Sequence, residues 1–464
     1  MDSLLDKIYS LSQEERDDCR KHVMLGGGTP GPTMVKGKGI RLQDVDGKSY
    51  IDCTSQSWAM YLGFSHPEIV GIIKDHAENL THIHQGFDTL TRLYLAREIS
   101  RICPPGFNRV SFTVGGGPAI EAAMKVAFLN RPGTQAFISQ YDSYHGTTLT
   151  AMSASWHSTK ASGSYMGGSH FLPLLMNFAR FPNPYLLRLP IPGKHEYPDV
   201  ACAEVLRTII ERGINGPPTA VIVEPLQASA GQIPATKAYL QKVREICDEY
   251  GAILIFDEIQ TLCRIGRFTA AEYYGVDPDI IVFGKGLGGG LPLACIVIRD
   301  GLKGFGHDVQ ELHTFASPTL SHVTSAKMIE IVRRDNLLEN TRRIGAYIAK
   351  NVESMRDEFP EVAETRQAGL HIGVEFARPD AALTPMPAEC VAIRDAAIKR
   401  GCIFGLGGVR KQVLKIKPPL ITTQNEADTI LSIFHDCAAE ILRAGKPRAA
   451  ASSRKDNAEM ATVK

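Results

Sequence analysis

The chain has 464 residues, 44% of them hydrophobic, a formal net charge of +1 and ten cysteines. It is long enough for two or three domains around a large core, and its near-neutral balance gives no electrostatic case for nucleic acid or an anionic membrane. Scattered cysteines without a C-x-x-C pair argue against a disulfide framework or a structural metal, and the absence of a signal core or a transmembrane-length apolar run points to the cytoplasm.

In chain order, residues 1–75 read as a charged amphipathic arm, the Gly/Pro-rich stretch GGGTPGPT, and a hairpin in IRLQDVDGKSYIDC turning around Asp46-Gly47. From about 90 to 320, helical patterns alternate with short apolar runs: AVIVE (220–224), ILIFD (253–257) and DIIVF (279–283). That alternation predicts a mostly parallel sheet flanked by helices. Between the first two runs, YLQKVREICDEYG sets Tyr239, Leu240, Val243, Ile246, Cys247 and Tyr250 on one helical face and ends at Gly251, completing a β-α-β unit. After about 325 come a long helix, the strand-like HIGVEF and VLKIK, and a final helix with Thr423 and Glu426 spaced as a capping box. The expected organisation is an α/β protein: a large domain over 76–325, a smaller α+β domain built from the C-terminal part, 326–445, together with the N-terminal segment, and a disordered polar tail over 446–464.

The stretch DIIVFGKGLGGGLPLAC (279–295) places Lys285 between an apolar run and a chain of glycines. Gly284, Gly286 and Gly289 match G-x-G-x-x-G, but the following ACIVI reads as a strand rather than the helix a dinucleotide turn must open. A Walker A loop cannot be written around Lys285 either. Ligands of open parallel sheets sit beyond the carboxyl ends of the strands, where Glu224, Asp257 and Lys285 fall in succession. Asp257 and Lys285 would make either a structural ion pair or a functional set. In the second case, a poorly hydrated lysine is a nucleophile toward an aldehyde, and a buried aspartate needs a cation such as a protonated pyridine. In FTVGGGPAIEAAMKVAF, Gly115–Gly117 at the start of an Ala-rich helix offer bare amides to an anion, or merely make a tight turn. An aldehyde, a pyridine and a phosphate together describe pyridoxal 5'-phosphate.

The blocks GGGPAIEAAMKVA, YHGTTLTAMSAS, VIVEPLQASAGQIP, LIFDEIQTLCRIGRF, PDIIVFGKGLGGGLPLA, HTFASPTLS and VLKIKPPL follow one another over residues 35–440. In order and spacing they resemble the class III pyridoxal-phosphate aminotransferases, fold type I enzymes that include ornithine, 4-aminobutyrate and ω-amino acid aminotransferases. The resemblance implies a covalent link between Lys285 and the cofactor, proton transfer by Lys285, and Asp257 on the pyridine nitrogen. It implies Tyr144 and Ile259 on the two ring faces, Gln260 on the ring hydroxyl, and His145 and Glu224 beside the cofactor. Amides of Gly116 and Gly117 would hold the phosphate, and Thr314 would reach the phosphate of the neighbouring subunit of a homodimer. The implied reaction is ping-pong transfer from an amine or amino acid to a 2-oxo acid such as pyruvate or 2-oxoglutarate.

Three departures qualify the carry-over. Gly115, Gly117 and Pro118 replace the hydroxyl and acid usual in the phosphate loop, so phosphate holding should rest on backbone. Lys415 stands where many members have a carboxylate-gripping Arg, and a point charge replaces a fork. DEIQTLCRIGRF is one residue shorter than usual and is similar in length to the glutamate-1-semialdehyde aminomutase branch, which keeps a mutase, racemase or lyase as the alternative. Trp58 and Tyr61 lie where the family brings an N-terminal segment to the pocket mouth, there to contact substrate, or else to serve as core.

Overall fold

The computed structural model describes residues 3–24, 31–156 and 165–443. The tail expected over 446–464 and most of the GGGTPGPT stretch lie outside the described residues.

Short strands β1 (Met34–Lys38), β2 (Arg41–Asp44) and β3 (Ser49–Cys53) form the expected N-terminal meander. Asp44 Oδ1 fixes the β2–β3 turn by accepting from the amides of Asp46 (3.0 Å) and Lys48 (2.9 Å), with Gly47 at φ +82°. There follow β4 (Phe107–Thr113), β5 (Ala136–Gln140), β6 (Ala179–Phe181), β7 (Pro218–Val223), the small hairpin β8 (Leu226–Gln227) and β9 (Ile233–Pro234), β10 (Ile253–Asp257), β11 (Ile280–Phe283) and β12 (Ala294–Arg299). The C-terminal part supplies β13 (Val362–Ala368), β14 (His371–Phe376), β15 (Cys402–Gly407) and β16 (Val413–Ile416).

The large sheet runs β4-β12-β11-β10-β7-β5-β6. Its pairs β11–β10, β10–β7, β7–β5 and β5–β6 are parallel, and only β12 opposes its neighbours. The near-continuous burial of β7, β10 and β11 explains their apolar runs: helices cover both faces. The helix Lys237–Tyr250 buries Tyr239, Leu240, Val243, Ile246 and Cys247, and ends on Gly251 at φ +65°.

The second sheet runs β1-β2-β3-β15-β16-β14-β13. The N-terminal strands thus join the smaller domain as expected: β3 pairs in parallel with β15 and extends the C-terminal sheet. The boundaries drawn at 75/76 and 325/326 fall inside the helices Pro67–Ala77 and Thr319–Arg334, whose ends lie elsewhere. The long helix expected after 325 is two helices, Thr319–Arg334 and Leu337–Ser354, broken at Asn336 with φ +51°.

Candidate active site

The carboxyl ends of β5, β7, β10 and β11 share one edge of the large sheet, and the residues just beyond them line a cavity of about 280 Å³. Its lining includes Gly116, Gly117, Tyr144, His145, Glu224, Asp257, Ile259, Gln260 and Lys285, nine of the positions singled out from sequence.

Lys285 sits at φ +49° as the chain leaves β11 and enters a short 3-10 turn, Lys285–Gly288. A left-handed lysine costs roughly 1–2 kcal/mol, so tertiary contacts must hold it there. The chief contact is beneath: a Cβ on Gly286 would lie 2.2 Å from Tyr61 Cζ. Tyr61 is 1% exposed, carries the Arg264 guanidinium 5.1 Å from its ring centre, and gives its carbonyl to the Leu420 amide at 2.8 Å. This corrects the placement of Tyr61 at the pocket mouth: the ring fills the space under the Lys285 turn and does not line the cavity. Burial pulls the Lys285 ammonium below the ordinary lysine value, against the opposing pull of the Asp257 and Glu224 carboxylates.

Asp257 is held from two sides. Its Oδ2 lies 2.8 Å from His145 Nδ1, and its Oδ1 accepts from the Ile259 amide at 3.1 Å. Glu224 Oε1 accepts from the Tyr144 amide at 2.7 Å, which ties the β7 end to the loop after β5. Burial, reinforced by the charge on Asp257, pushes the Glu224 carboxyl well above the usual range. Asp257 lines the cavity, where a cationic ligand atom would be its natural partner.

Gly116 and Gly117 open the 15-residue helix Gly116–Asn130, whose start has no side-chain cap. Both glycines sit at close approach: a Cβ at 116 would lie 2.9 Å from Ile259 Cδ1, and one at 117 would lie 3.0 Å from Thr148 Oγ1, so a side chain at either would make its neighbour shift. Gly115 and Pro118 line the cavity too, and so do Gly146, Thr147 and Thr148, which were not singled out from sequence. Thr148, from the YHGTT block, stands beside the helix start, but its hydroxyl donates to Glu121 Oε1 at 2.6 Å, which leaves the backbone amides as the donors at that end.

The remaining predicted residues lie outside the lining. Thr314 is exposed on the segment before the helix Thr319–Arg334 and is not among the cavity residues of its own chain. Lys415 is buried on β16, which lies between β14 and β15, and so is no sheet-edge residue. Its stem crosses Gly405 and Gly407 of β15; a Cβ at 407 would meet Lys415 Cδ at 2.8 Å. Trp58 is reached by the nitrogens of Lys285, Lys415 and Lys417, at 5.6, 5.0 and 3.2 Å from its ring centroid. Sequence reading missed Lys417, although K-x-K on a strand puts both side chains on one face.

The donors and acceptors present fit a flat aldehyde cofactor with a phosphate. The buried atoms His145 Nε2 and Gln260 Oε1 have no protein partner, the helix start is bare, and Tyr144 and Ile259 supply flat and branched surfaces.

The chain is similar to known proteins over most of its length. The family model described as Aminotransferase class-III matches residues 28–438. An acetylornithine aminotransferase of Methanosarcina acetivorans is 33% identical over 89% of this chain and 93% of its own length. An alanine/serine racemase of Pyrococcus horikoshii is 30% identical over 88% and 85%. Among solved structures, a Bacillus anthracis aminotransferase superposes with a TM-score of 0.85 at 23% identity, covering 93% of this chain and 100% of that one.

Proposed function

Because the chain belongs to the class-III aminotransferase family and is an aminotransferase of fold type I, we propose that it binds pyridoxal 5'-phosphate on Lys285 and passes an amino group from an amine or amino acid to a 2-oxo acid, pyruvate or 2-oxoglutarate. The observation that carries this reading is the convergence, on one cavity, of a dehydrated lysine, a doubly anchored carboxylate and a bare helix start.

When bound, the cofactor supplies an aldehyde that condenses with amines and a ring that accepts electrons. The chain does the rest. Lys285, its ammonium destabilised by burial, is poised as a nucleophile and then holds and returns a proton at the reacting carbon. Asp257, oriented by His145 and the Ile259 amide, keeps the ring nitrogen cationic; a charge-assisted hydrogen bond of roughly 1.5–3 kcal/mol suffices for that. Tyr144 and Ile259 bracket the ring, and Gln260 bonds its hydroxyl. Amides of Gly116 and Gly117 take the phosphate. Lys415 receives the acid group of the substrate. Thr314 serves the phosphate site of a second copy, so the working unit is a homodimer acting in the cytoplasm. No helix of the described residues is long and apolar enough to cross a membrane.

Borohydride reduction followed by peptide mapping tests the reading, with label expected on Lys285 and its absence there refuting the assignment. The racemase relative favours a second reading, in which nitrogen returns to the same molecule. Donor supplied alone separates them: transamination leaves stable pyridoxamine phosphate, whereas a racemase, mutase or lyase does not accumulate it.

A further inference from the structure

Strand β16 alternates in the usual way: Leu414 and Ile416 are core on one face, and Lys415 and, just past its end, Lys417 face the other. Both lysines are buried, at 7% and 1% exposure. Among the described residues no carboxylate lies within 4.0 Å of either nitrogen, and Lys417 Nζ has no hydrogen-bond partner at all. The ring on which they converge, Trp58, also keeps its buried Nε1 donor without an acceptor.

The backbone carrying Trp58 is shaped for this meeting. Ser55, Gln56, Ser57 and Trp58 all have positive φ, at 46°, 45°, 58° and 72°. A left-handed turn of four non-glycine residues persists only when its surroundings enforce it. Asp52 does so by accepting from the Thr54 amide and hydroxyl (2.8 and 2.6 Å) and from the Gln56 amide (3.1 Å). Ser55 Oγ does so by donating to the Lys417 carbonyl at 2.7 Å. The nearby carboxylate is thus committed to the turn and is not a counter-ion for the lysines. Arg264 is committed as well, with Nη1 on the Pro418 carbonyl (2.8 Å) and Nη2 on Ser55 Oγ (3.0 Å).

Lys417 Nζ lies 3.2 Å from the centre of that ring, and burial, followed by the neighbouring Lys415, holds its amine well below the ordinary lysine value. Lys415, the Trp58 N–H and the hydrogens of Lys417 are thus unanswered beside Lys285. Burial draws the protons from both lysines in the absence of an acid, and an anion entering among them would restore their charge and take up the open donors. The open donors are point-like rather than a guanidinium fork, which suits a compact group with several oxygens better than a planar carboxylate. We propose that Lys415, Lys417 and Trp58 Nε1 form the binding site for a doubly negative acid group of the substrate, a phosphonate or phosphate monoester joined by a short chain to the reacting amine. This rests on the aminotransferase reading above for its reactive centre, but the anion site is testable without turnover.

The test is calorimetric titration of the cofactor-loaded protein with ethylphosphonate and with propionate. Ethylphosphonate should bind at least tenfold more tightly, and Lys417→Met should cut that preference at least tenfold. Trp58→Phe, which removes only the Nε1 donor, should cut it about threefold and stands in where Lys417→Met fails to fold. Equal affinity for the two anions, or a preference that survives both substitutions, overturns the proposal. Ethylphosphonate binding with no borohydride label on Lys285 would sink the reaction assigned above and leave the anion site standing; label without anion preference would do the reverse.

Discussion

Gly286→Ala probes the packing that sets the reactive lysine. The added Cβ would lie 2.2–2.4 Å from three atoms of the Tyr61 ring, and ordinary contact begins near 3.4 Å, so ring or turn must move by about 1 Å. Tyr61 cannot yield easily, being 1% exposed with Arg264 over its ring. The strained turn at Lys285 would move instead. Overpacking of this kind costs about 1–3 kcal/mol in stability, and a displacement of about 1 Å at a reacting group costs on the order of 100-fold in rate. Tyr61→Ala alone should cost about 3–5 kcal/mol through the cavity it leaves. In the double variant the methyl group occupies part of that cavity, so the total should fall short of the sum by at least about 1 kcal/mol. Urea denaturation of the four proteins, with transaminase rates on the same samples, measures both effects. A Gly286→Ala variant within about 0.5 kcal/mol of the parent, or strict additivity, would show that Tyr61 does not support the turn.

Asp257→Asn should weaken cofactor binding about tenfold to a hundredfold, measured by equilibrium dialysis, since a charge-assisted bond of about 1.5–3 kcal/mol is lost. The same change should lower the Lys285 titration further, because Asp257 opposes the effect of burial there. Burial, followed by the charge of Lys285, brings Lys415 down to about 8 from an ordinary 10.5. Binding of acidic substrates should therefore weaken as pH rises through about 8, by up to about tenfold per unit. Between about 8 and 10.5 the unfolded chain holds the Lys415 proton that the folded chain has released, so this group makes stability rise with pH by up to about 1.4 kcal/mol per unit. Lys415→Met should flatten both profiles. Mixed dimers of Lys285→Ala with Thr314→Ala should regain activity, because one of the two sites then has both side chains intact; inactive mixtures would place Thr314 outside the partner's site.

Residues that act next to one another along the chain, or at strand ends, were legible without coordinates. The apolar runs before Glu224, Asp257 and Lys285 identified parallel strands, and strand polarity alone put all three at one edge. The glycines at 115–117 announced a bare helix start in the same way. Tyr61 and Trp58 were harder, because aromatics three residues apart after a hairpin give no sign of which one faces a cavity. Only the left-handed run Ser55–Trp58, enforced by Asp52 and Ser55, turns Trp58 toward the lysines while Tyr61 settles beneath Gly286.

The sequence by itself determined the alternation of strands and helices, the order of the chemical groups and the family, because periodicity and spacing are local properties of the chain. Tertiary structure alone decided which strand the N-terminal segment pairs with, β15, that Tyr61 lies beneath Gly286, and that Lys415 and Lys417 meet Trp58 without a counter-ion. These depend on segments as much as 362 residues apart sharing one volume, and which side chains then lack a partner is fixed only once every neighbour is in place.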